Sequence, residues 1–495
     1  MEYEVVIGLE VHAQLLTKSK MYCGCSSDYA AAAPNTHVCP VCLGMPGVLP
    51  TINRQAVEFT MMTGLALNCT ISGNTKFDRK NYAYPDLMKG YQISQYDAPI
   101  ATDGWLTVES DGQSRKLGII RVHLEEDVAK LTHRSNPLGE SYSLVDVNRA
   151  GTPLMEVVGC PDIRSPEEAR QYLMKLRTIL QYLGVSTGNM EEGSFRCDAN
   201  ISLRPMGTQE LTSKVEVKNM NSFKAVFRAL EFEAQRQAKA LDKGERIVQE
   251  TRGWVDDKGV TVSQRSKEQA HDYRYFPEPD LPPLVLSRQW VEEIRKKLPE
   301  LPERRRDRFA KQYGLSEYDA GLLTGSKIMA DYFETCLSGA GVAGGGTDQA
   351  RKKAKGVANW LLGEFSRLLN LCNTEIQTCK VSPASLNELL EMVESGKISG
   401  TAAKTVFEEM FRSGKCAADL VASLGLAQLS DAGELGGIVD EVLAKNPQAV
   451  ADFRAGKEQV MGFLVGQAMK ATRGRASAKT VGDLIRERLK GSAAG

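Results

Sequence analysis

Val5, Ile7, Leu9 and Val11 occupy alternate positions of one short segment. An extended chain therefore puts them on one side, with Glu10 and His12 together on the other. The same two-residue period returns three times. Ile120, Val122 and Leu124 set Arg121, His123 and Glu125 on a common face, and Cys197, Ala199, Ile201 and Leu203 do so for Arg196, Asp198 and Asn200. Val215 and Val217 likewise set Lys214, Glu216 and Lys218 outward. Four such strands predict a sheet with one face packed and one wet, the pattern of antiparallel sheets. A merely solvated face is one reading. The other is chemical, because two of the strands carry Glu and His at one parity in a chain with only 5 histidines. Carboxylates beside imidazole suit a divalent cation, and the Arg and Lys alongside suit phosphate oxygens. Glu156, in Pro153–Val158, is a further candidate, although its neighbours do not alternate; it could equally end a strand.

Lys plus Arg (62) equals Asp plus Glu (62) over 495 residues, so no global basic field marks a nucleic-acid binder. The start, Met1-Glu2-Tyr3-Glu4, is acidic where a signal peptide is basic and apolar. No apolar run reaches the ~18 residues that span a bilayer. An odd number of cysteines, 11, argues for reduced thiols and a cytoplasmic location. Secreted, membrane-spanning and disordered classes are excluded.

The chain changes character near residue 290, from strand-like alternation to helical Ala-, Leu-, Lys- and Glu-rich sequence. Phe276-Pro-Glu-Pro-Asp-Leu-Pro-Pro283 marks the join as an extended connector. Ser165-Pro166-Glu167-Glu168 is a capping box that opens a helix with Tyr172, Leu173, Leu176, Leu180 and Leu183 inward and Gly184 as its stop. A second helix follows Asn221 or Ser222, with Phe223, Phe227, Leu230 and Ala234 on its inner face. A third follows Ser287, with Val291, Ile294 and Leu298 inward. The Gly-rich stretch 338–346 lacks the Gly-Lys-Ser/Thr ending of a phosphate-binding loop and is read as a flexible loop.

Cys23-Gly-Cys25 and Cys39-Pro-Val-Cys42 have the spacing of a closed four-thiolate zinc site; the alternative is four free thiols. His37 lies nearby but is redundant as a ligand. Two basic patches follow. One is Arg304-Arg305-Arg306-Asp307-Arg308. The other is the end of the chain, where Lys457, Lys470, Arg473, Arg475, Lys479, Arg486, Arg488 and Lys490 cluster. From residue 451, nine Lys and Arg face four Asp and Glu, which suits either RNA-backbone contact or ordinary solvated helices.

Several longer motifs carry a resemblance. They are Phe77-Asp-Arg-Lys-Asn-Tyr-Ala-Tyr-Pro-Asp86, Gly90-Tyr-Gln-Ile-Ser-Gln95, His123-Leu-Glu-Glu-Asp127 and Val147-Asn-Arg-Ala-Gly-Thr-Pro-Leu154. Arg196-Cys-Asp-Ala-Asn-Ile-Ser202, Lys218-Asn-Met-Asn-Ser222 and Asp272-Tyr-Arg-Tyr-Phe-Pro-Glu-Pro279 belong with them. Together they resemble the B subunit of the glutamyl-/aspartyl-tRNA amidotransferase, and Gly456–Lys470 resembles that family's YqeY-like tail. The resemblance implies an α+β chain: a glutamine-synthetase-like kinase (cradle) domain with a large antiparallel sheet over 1–290, a helical domain over 291–405, and a tRNA-binding tail over 406–495.

It also implies a ligase activity. ATP phosphorylates the side-chain carboxyl of Glu-tRNA(Gln) or Asp-tRNA(Asn), and ammonia displaces the phosphate. Glu10, His12 and Glu125 become the first catalytic and Mg2+ candidates, with His123 and Glu156 behind them. Arg196, Asp198, Asn200, Lys214, Glu216 and Lys218 become ATP or substrate contacts; Lys80, Tyr82 and Tyr84 shape the site or acceptor-end groove. Ammonia would come from a separate amidase subunit, with a small third subunit completing a heterotrimer. Two other readings compete: a free-standing carboxylate–amine ligase for a small molecule, and a non-catalytic zinc-containing tRNA-binding protein.

Overall fold

The computed structural model describes residues 2–110, 112–266, 273–342, 344–426, 432–454, 457–472, 476 and 478–491, without the side chains of 265, 266, 432–434, 454, 478, 490 and 491. Asp272, Ala343, Gly456, Arg473, Arg475 and the side chain of Lys490 thus lie outside the described residues. Two compact units divide the chain, Met1–Pro302 and Glu303–Gly495.

The first unit is built on β1 (Tyr3–Gln14), β2 (Thr70–Ile71), β3 (Asn74–Thr75), β4 (Asp78–Asn81), β5 (Tyr91–Ser94) and β6 (Ala101–Ser110). These are followed by β7 (Gln113–Glu126), β8 (Lys130–Ser135), β9 (Ser141–Asp146), β10 (Pro153–Gly159) and β11 (Phe195–Pro205). The last are β12 (Val215–Lys218), β13 (Glu250–Val255), β14 (Val260–Ser266), β15 (Phe276–Pro277) and β16 (Leu284–Val285). Nine strands form one sheet in the order β14-β13-β12-β11-β1-β10-β7-β6-β2. It is antiparallel throughout except for β12 against β13. That parallel pair is connected through a helix, as a crossover requires.

The alternation read from the sequence is realised in β1, where Ile7, Leu9, Val11 and Ala13 are all buried. Burying each of the larger side chains contributes about 1.5–3 kcal/mol. Three helices supply the opposing layer: α1 (Arg54–Ala66), α2 (Pro166–Leu183) and α3 (Phe223–Asp242). Ser165 caps α2 by accepting from the Glu168 amide, and Gly184 ends it in the left-handed conformation. The Glu168 carboxylate answers the Arg164 N–H rather than that of Ser165, a capping box displaced by one residue. Ser222 caps α3, whose fully buried side is Val226, Ala229, Leu230, Glu233 and Gln237. The expected stripe of Phe223, Phe227, Leu230 and Ala234 is therefore rotated, because Glu233 turns inward to meet Arg236, Arg252 and Thr261. A short α4 (Arg288–Lys296) starts at its Ser287 cap and buries Ile294.

One strand departs from the expected parity. Val158 pairs with Arg121 but Gly159 with Ile119, so β7 holds an extra residue, Ile120, against β10. This bulge leaves Ile120 46% exposed and gives its inward place to Ile119. Beyond it, Val122 and Leu124 are in the core as expected. The proline-rich join is extended but also stitched into this unit: β15 pairs with β4, and β16 with β3.

The second unit is helical, running from Pro302–Tyr313 to Ala478–Gly491. Its interior is divided into one core between Phe309 and Val421 and another between Leu435 and Leu489. The Gly-rich stretch lies between helices Lys327–Gly339 and Asp348–Trp360.

Candidate active site

The face of the sheet away from α1–α3 collects the polar residues, and register decides which of them meet. His12 on β1 stands opposite Glu156 on β10, and Glu156 stands opposite His123 on β7. His12 Nε2 lies 3.4 Å from Glu156 Oε2 and 3.7 Å from Glu125 Oε1; His123 Nε2 lies 3.2 Å from Glu156 Oε2. One ligand atom each from His12, Glu125 and Glu156 falls within 4.8 Å of the others. Burial opposes a charged His12, yet Glu156 and Glu125 outweigh it and lift the imidazole to about 9. Burial likewise opposes ionised Glu156, but His123 and His12 hold its carboxyl well below the usual range. The site thus holds a positive charge between two buried carboxylates, a place a divalent cation can take in exchange for the proton. One nitrogen and two oxygens leave coordination positions for water and phosphate, as Mg2+ sites commonly do.

Around this cluster the supports are specific. Ser94 on β5 donates to Glu125 at 3.0 Å. Glu126, of opposite parity, accepts from Lys89 Nζ at 2.7 Å and the Ile93 amide at 3.0 Å. Lys80 lies 5.0 Å from the Tyr273 ring centroid, and burial works against its charge while Glu125, Tyr275 and Glu156 sustain it. Tyr82 and Tyr273 meet edge to face, and Tyr275 stacks on Tyr96 with centroids 4.3 Å apart.

A second candidate site is independent. Cys23, Cys25, Cys39 and Cys42 bring their sulfurs within 4.8 Å of one another, and all four are free of disulfides. A hydrogen bond from Cys23, aided by the Cys39 amide and nearby Lys20, overcomes burial and lowers Cys42 to about 4. Burial, with contributions from neighbouring thiols, raises Cys25 to about 11. One thiolate among convergent thiols is a fitting donor set for tetrahedral zinc.

Comparisons with known proteins agree on one family. The GatB/GatE catalytic domain model matches residues 5–292, and the GatB domain model matches 347–489. The B subunit of an aspartyl/glutamyl-tRNA(Asn/Gln) amidotransferase from Dehalococcoides mccartyi is 61% identical over 490 residues, covering 99% of each chain. Proteins of the same description from Moorella thermoacetica (56%, 99% of this chain and 100% of its own) and Carboxydothermus hydrogenoformans (54%, 99% of each) are also similar. The chain belongs to the GatB family of amidotransferase subunits.

Within this GatB-family chain the expected site residues divide into groups. His12, Glu125 and Glu156 converge, with His123 behind Glu156. Glu156, the weaker candidate in the sequence, lies in mid-strand; β10 is so enclosed that its neighbours Leu154 and Met155 are both buried, which hid the alternation. Glu10 stands one row away, opposite Asp198, and accepts from Asn200 Nδ2 at 2.9 Å. Lys218 Nζ bridges Asp198 at 2.6 Å and Glu216 at 3.2 Å, while Glu216 also accepts from Thr251. Lys214 precedes β12 rather than joining it, and is exposed. Tyr84 is exposed too.

Asp127 does not stand out in the sequence, yet it organises one end of the GatB polar face. It accepts from Gln14 Nε2 at 2.7 Å and is paired with Arg196, with Arg149 Nε at 3.7 Å. A signal for it exists: Gln14 continues the parity of Glu10 and His12, and Asp127 that of His123 and Glu125. In the helical unit, Arg305 is buried and paired with Asp331 at 2.6 Å, and Arg308 with Glu334 at 2.7 Å. Much of the Arg304–Arg308 charge is therefore answered internally. In the tail, Lys457 pairs with Asp452 at 3.1 Å and Arg488 with Asp440 at 3.4 Å. Among the described residues, no helix is long and apolar enough to cross a membrane.

Proposed function

We propose that this GatB-family chain is the carboxylate-activating component of a tRNA-dependent amidotransferase, a carbon–nitrogen ligase. The observation that carries the reading is the convergence of His12, Glu125 and Glu156 from three adjacent strands, within 4.8 Å, on the polar face. In this reading the first unit is a glutamine-synthetase-like cradle. The chain binds ATP and the side-chain carboxyl of Glu-tRNA(Gln), Asp-tRNA(Asn) or both, and transfers the γ-phosphoryl group to that carboxyl. A bound Mg2+ would offset charge on the transferring group and orient its oxygens. His12, Glu125 and Glu156 hold the cation; Ser94 fixes the Glu125 carboxylate, and His123 fixes Glu156. Lys80 contributes a buried positive charge beside them, suited to the phosphoryl or the substrate carboxylate.

Phosphorylation is the chemical necessity here: a carboxylate would have to expel oxide, whereas an acyl phosphate expels phosphate when ammonia attacks. Ammonia comes from a partner amidase, and a small third protein completes a cytoplasmic heterotrimer, for which the relatives' designation as one subunit of an amidotransferase is the support. The tail, built on the core between Leu435 and Leu489 and not from 406, where Val406 and Phe407 belong to the preceding core, engages tRNA through its Lys and Arg excess, and the four cysteines hold a structural zinc. Membership of the GatB family favours this reading over a small-molecule ligase or a non-catalytic zinc-containing binder.

The test is phosphoryl transfer without an ammonia donor. The chain with its amidase and small partner subunits receives Mg2+, γ-labelled ATP and glutamyl- or aspartyl-tRNA. Label should reach the aminoacyl group, be released when glutamine is added, and be absent with Glu125→Gln. No transfer to either aminoacyl-tRNA would refute the kinase reading.

A further inference from the structure

The cations expected to meet phosphate are mostly occupied. Arg196 is committed to Asp127, and Lys218 to Asp198 and Glu216. Lys80 is enclosed by Tyr82 and Tyr273 and answers Glu125 and Glu156. Arg121 differs. Among the described residues it has no hydrogen-bond or ion-pair partner, and its Nε is buried with none. Burying a guanidinium nitrogen unanswered is costly, and such a group calls for an acceptor that arrives from outside.

The bulge at Ile120 determines where this arginine stands. Arg121 pairs with Val158 on β10 and Thr102 on β6, and Val158 pairs with Glu10 on β1. Arg121 therefore lies in the Glu10 row, about 10 Å across two inter-strand spacings from the Glu10 backbone. It precedes His123 by two residues on the same side of β7 and lies about 13 Å along the strand from Glu125. The row of His12, Glu156 and His123 lies between them, about 7 Å along the strand from Arg121, so the cation cluster and the guanidinium are separate places on one face. A polyphosphate can reach both places, because its oxyanions are strung along a chain. The planar guanidinium matches two oxygens of one phosphate.

We propose that Arg121 is the receptor for a non-transferred phosphate of the nucleoside triphosphate, with the transferred phosphoryl at His12, Glu125 and Glu156. Arg196 and Lys218 are then braces of the face rather than phosphate ligands. This assignment rests on the kinase reading above and adds to it the seat of the nucleotide's inner phosphates.

The test uses the complete complex and a non-hydrolysable ATP analogue with Mg2+, titrated by calorimetry into wild type, Arg121→Gln and Arg121→Lys. Arg121→Gln should weaken the analogue roughly 10- to 100-fold, the loss expected of one charge-assisted pair, with Arg121→Lys in between. Adenosine affinity should not change. In steady state the KM for ATP should rise while kcat stays within about twofold, the mark of an interaction made equally before and during transfer. The unliganded thermal midpoint should not fall, since no internal partner is lost; a fall would mark a structural role. Unchanged analogue affinity in Arg121→Gln would overturn the proposal. So would a loss confined to aminoacyl-tRNA, which would give the arginine to the RNA backbone. Failure of the wild type itself to bind the analogue would instead remove the kinase reading.

Discussion

Arg196 Nη1 lies 3.1 Å from Asp127 Oδ2, and Nη2 lies 3.3 Å from Oδ1, a two-pronged pair joining β11 to the end of β7. Asp127 is only 2% exposed, so the pair holds a buried carboxylate in ionised form. Burial would raise its pKa, but Arg196 and Arg149 together take it below the ordinary 3.8. Arg196→Ala should destabilise the chain by about 1–3 kcal/mol, less than for a wholly buried pair, because the Arg196 side chain is partly exposed and Arg149 and Gln14 stay with Asp127. Urea unfolding of the purified chain measures this, and a cost below about 1 kcal/mol would return Arg196 to the substrate-binding set.

The same pair sets a pH signature. A folded-state pKa below the unfolded value gives stability that is fully present above 3.8 and is lost as pH falls through the depressed folded value. Asp127→Asn abolishes that contribution. Relative to wild type, the variant should be least stable near neutrality, and the gap should narrow on acidification below about pH 4. A gap independent of pH would contradict the ionised assignment.

Glu125→Gln should separate folding from cation binding. A glutamine oxygen can still accept from Ser94 Oγ, so the thermal midpoint should hold while Mn2+ affinity, read by electron paramagnetic resonance, falls tenfold or more. Equal Mn2+ affinity in the two proteins would exclude Glu125 as a ligand.

The four cysteines predict one zinc per chain by elemental analysis. Cys42→Ser, or a strong chelator, should remove it and lower the thermal midpoint of the chain, because binding energy at a structural site is folding energy. Metal-free protein with an unaltered melt would mean four free thiols.

The bulge makes a contrasting pair on one strand. Ile120→Lys should cost less than about 0.5 kcal/mol, as at ordinary surface positions, whereas Leu124→Ala should cost about 2–5 kcal/mol. Comparable costs would put Ile120 back in the core.

What could be read in advance was what depends on period alone. In β1 from Ile7 onward and in β11 from Phe195 to Ile201 the apolar parity is unbroken, and there the polar faces hold the residues expected of them; at the start of β1 the buried Val6 breaks it. In β7 the same reasoning misplaced Ile120, since a bulge is an insertion relative to a partner strand that a single strand's period does not contain. Glu156 was undervalued for a related reason: a central strand loses its alternation when both sides are covered. The Asp127–Arg196 pair reaches from β11 across β1 and β10 to the residue after β7, and that strand order is encoded in no single segment. Family resemblance supplied the chemistry, but not the division of the cations into paired and unpaired members. On α3, Glu233 turns inward to meet Arg252 on β13, and helical period alone cannot foresee a buried carboxylate.

The position of β1 has a kinetic consequence. It is the middle strand of the sheet, yet its neighbours come from far along the chain: Glu10 and its partner Asn200 are 190 residues apart, Gln14 and Asp127 113. Contacts so remote in sequence carry a loop-closure penalty before they return any stability, and they slow folding. The centre of the site can therefore be completed only late, once the strands on either side of β1 have found it. Until then its Val-, Ile- and Leu-rich edge is open to pairing with other chains, which makes this segment the point where refolding and aggregation compete.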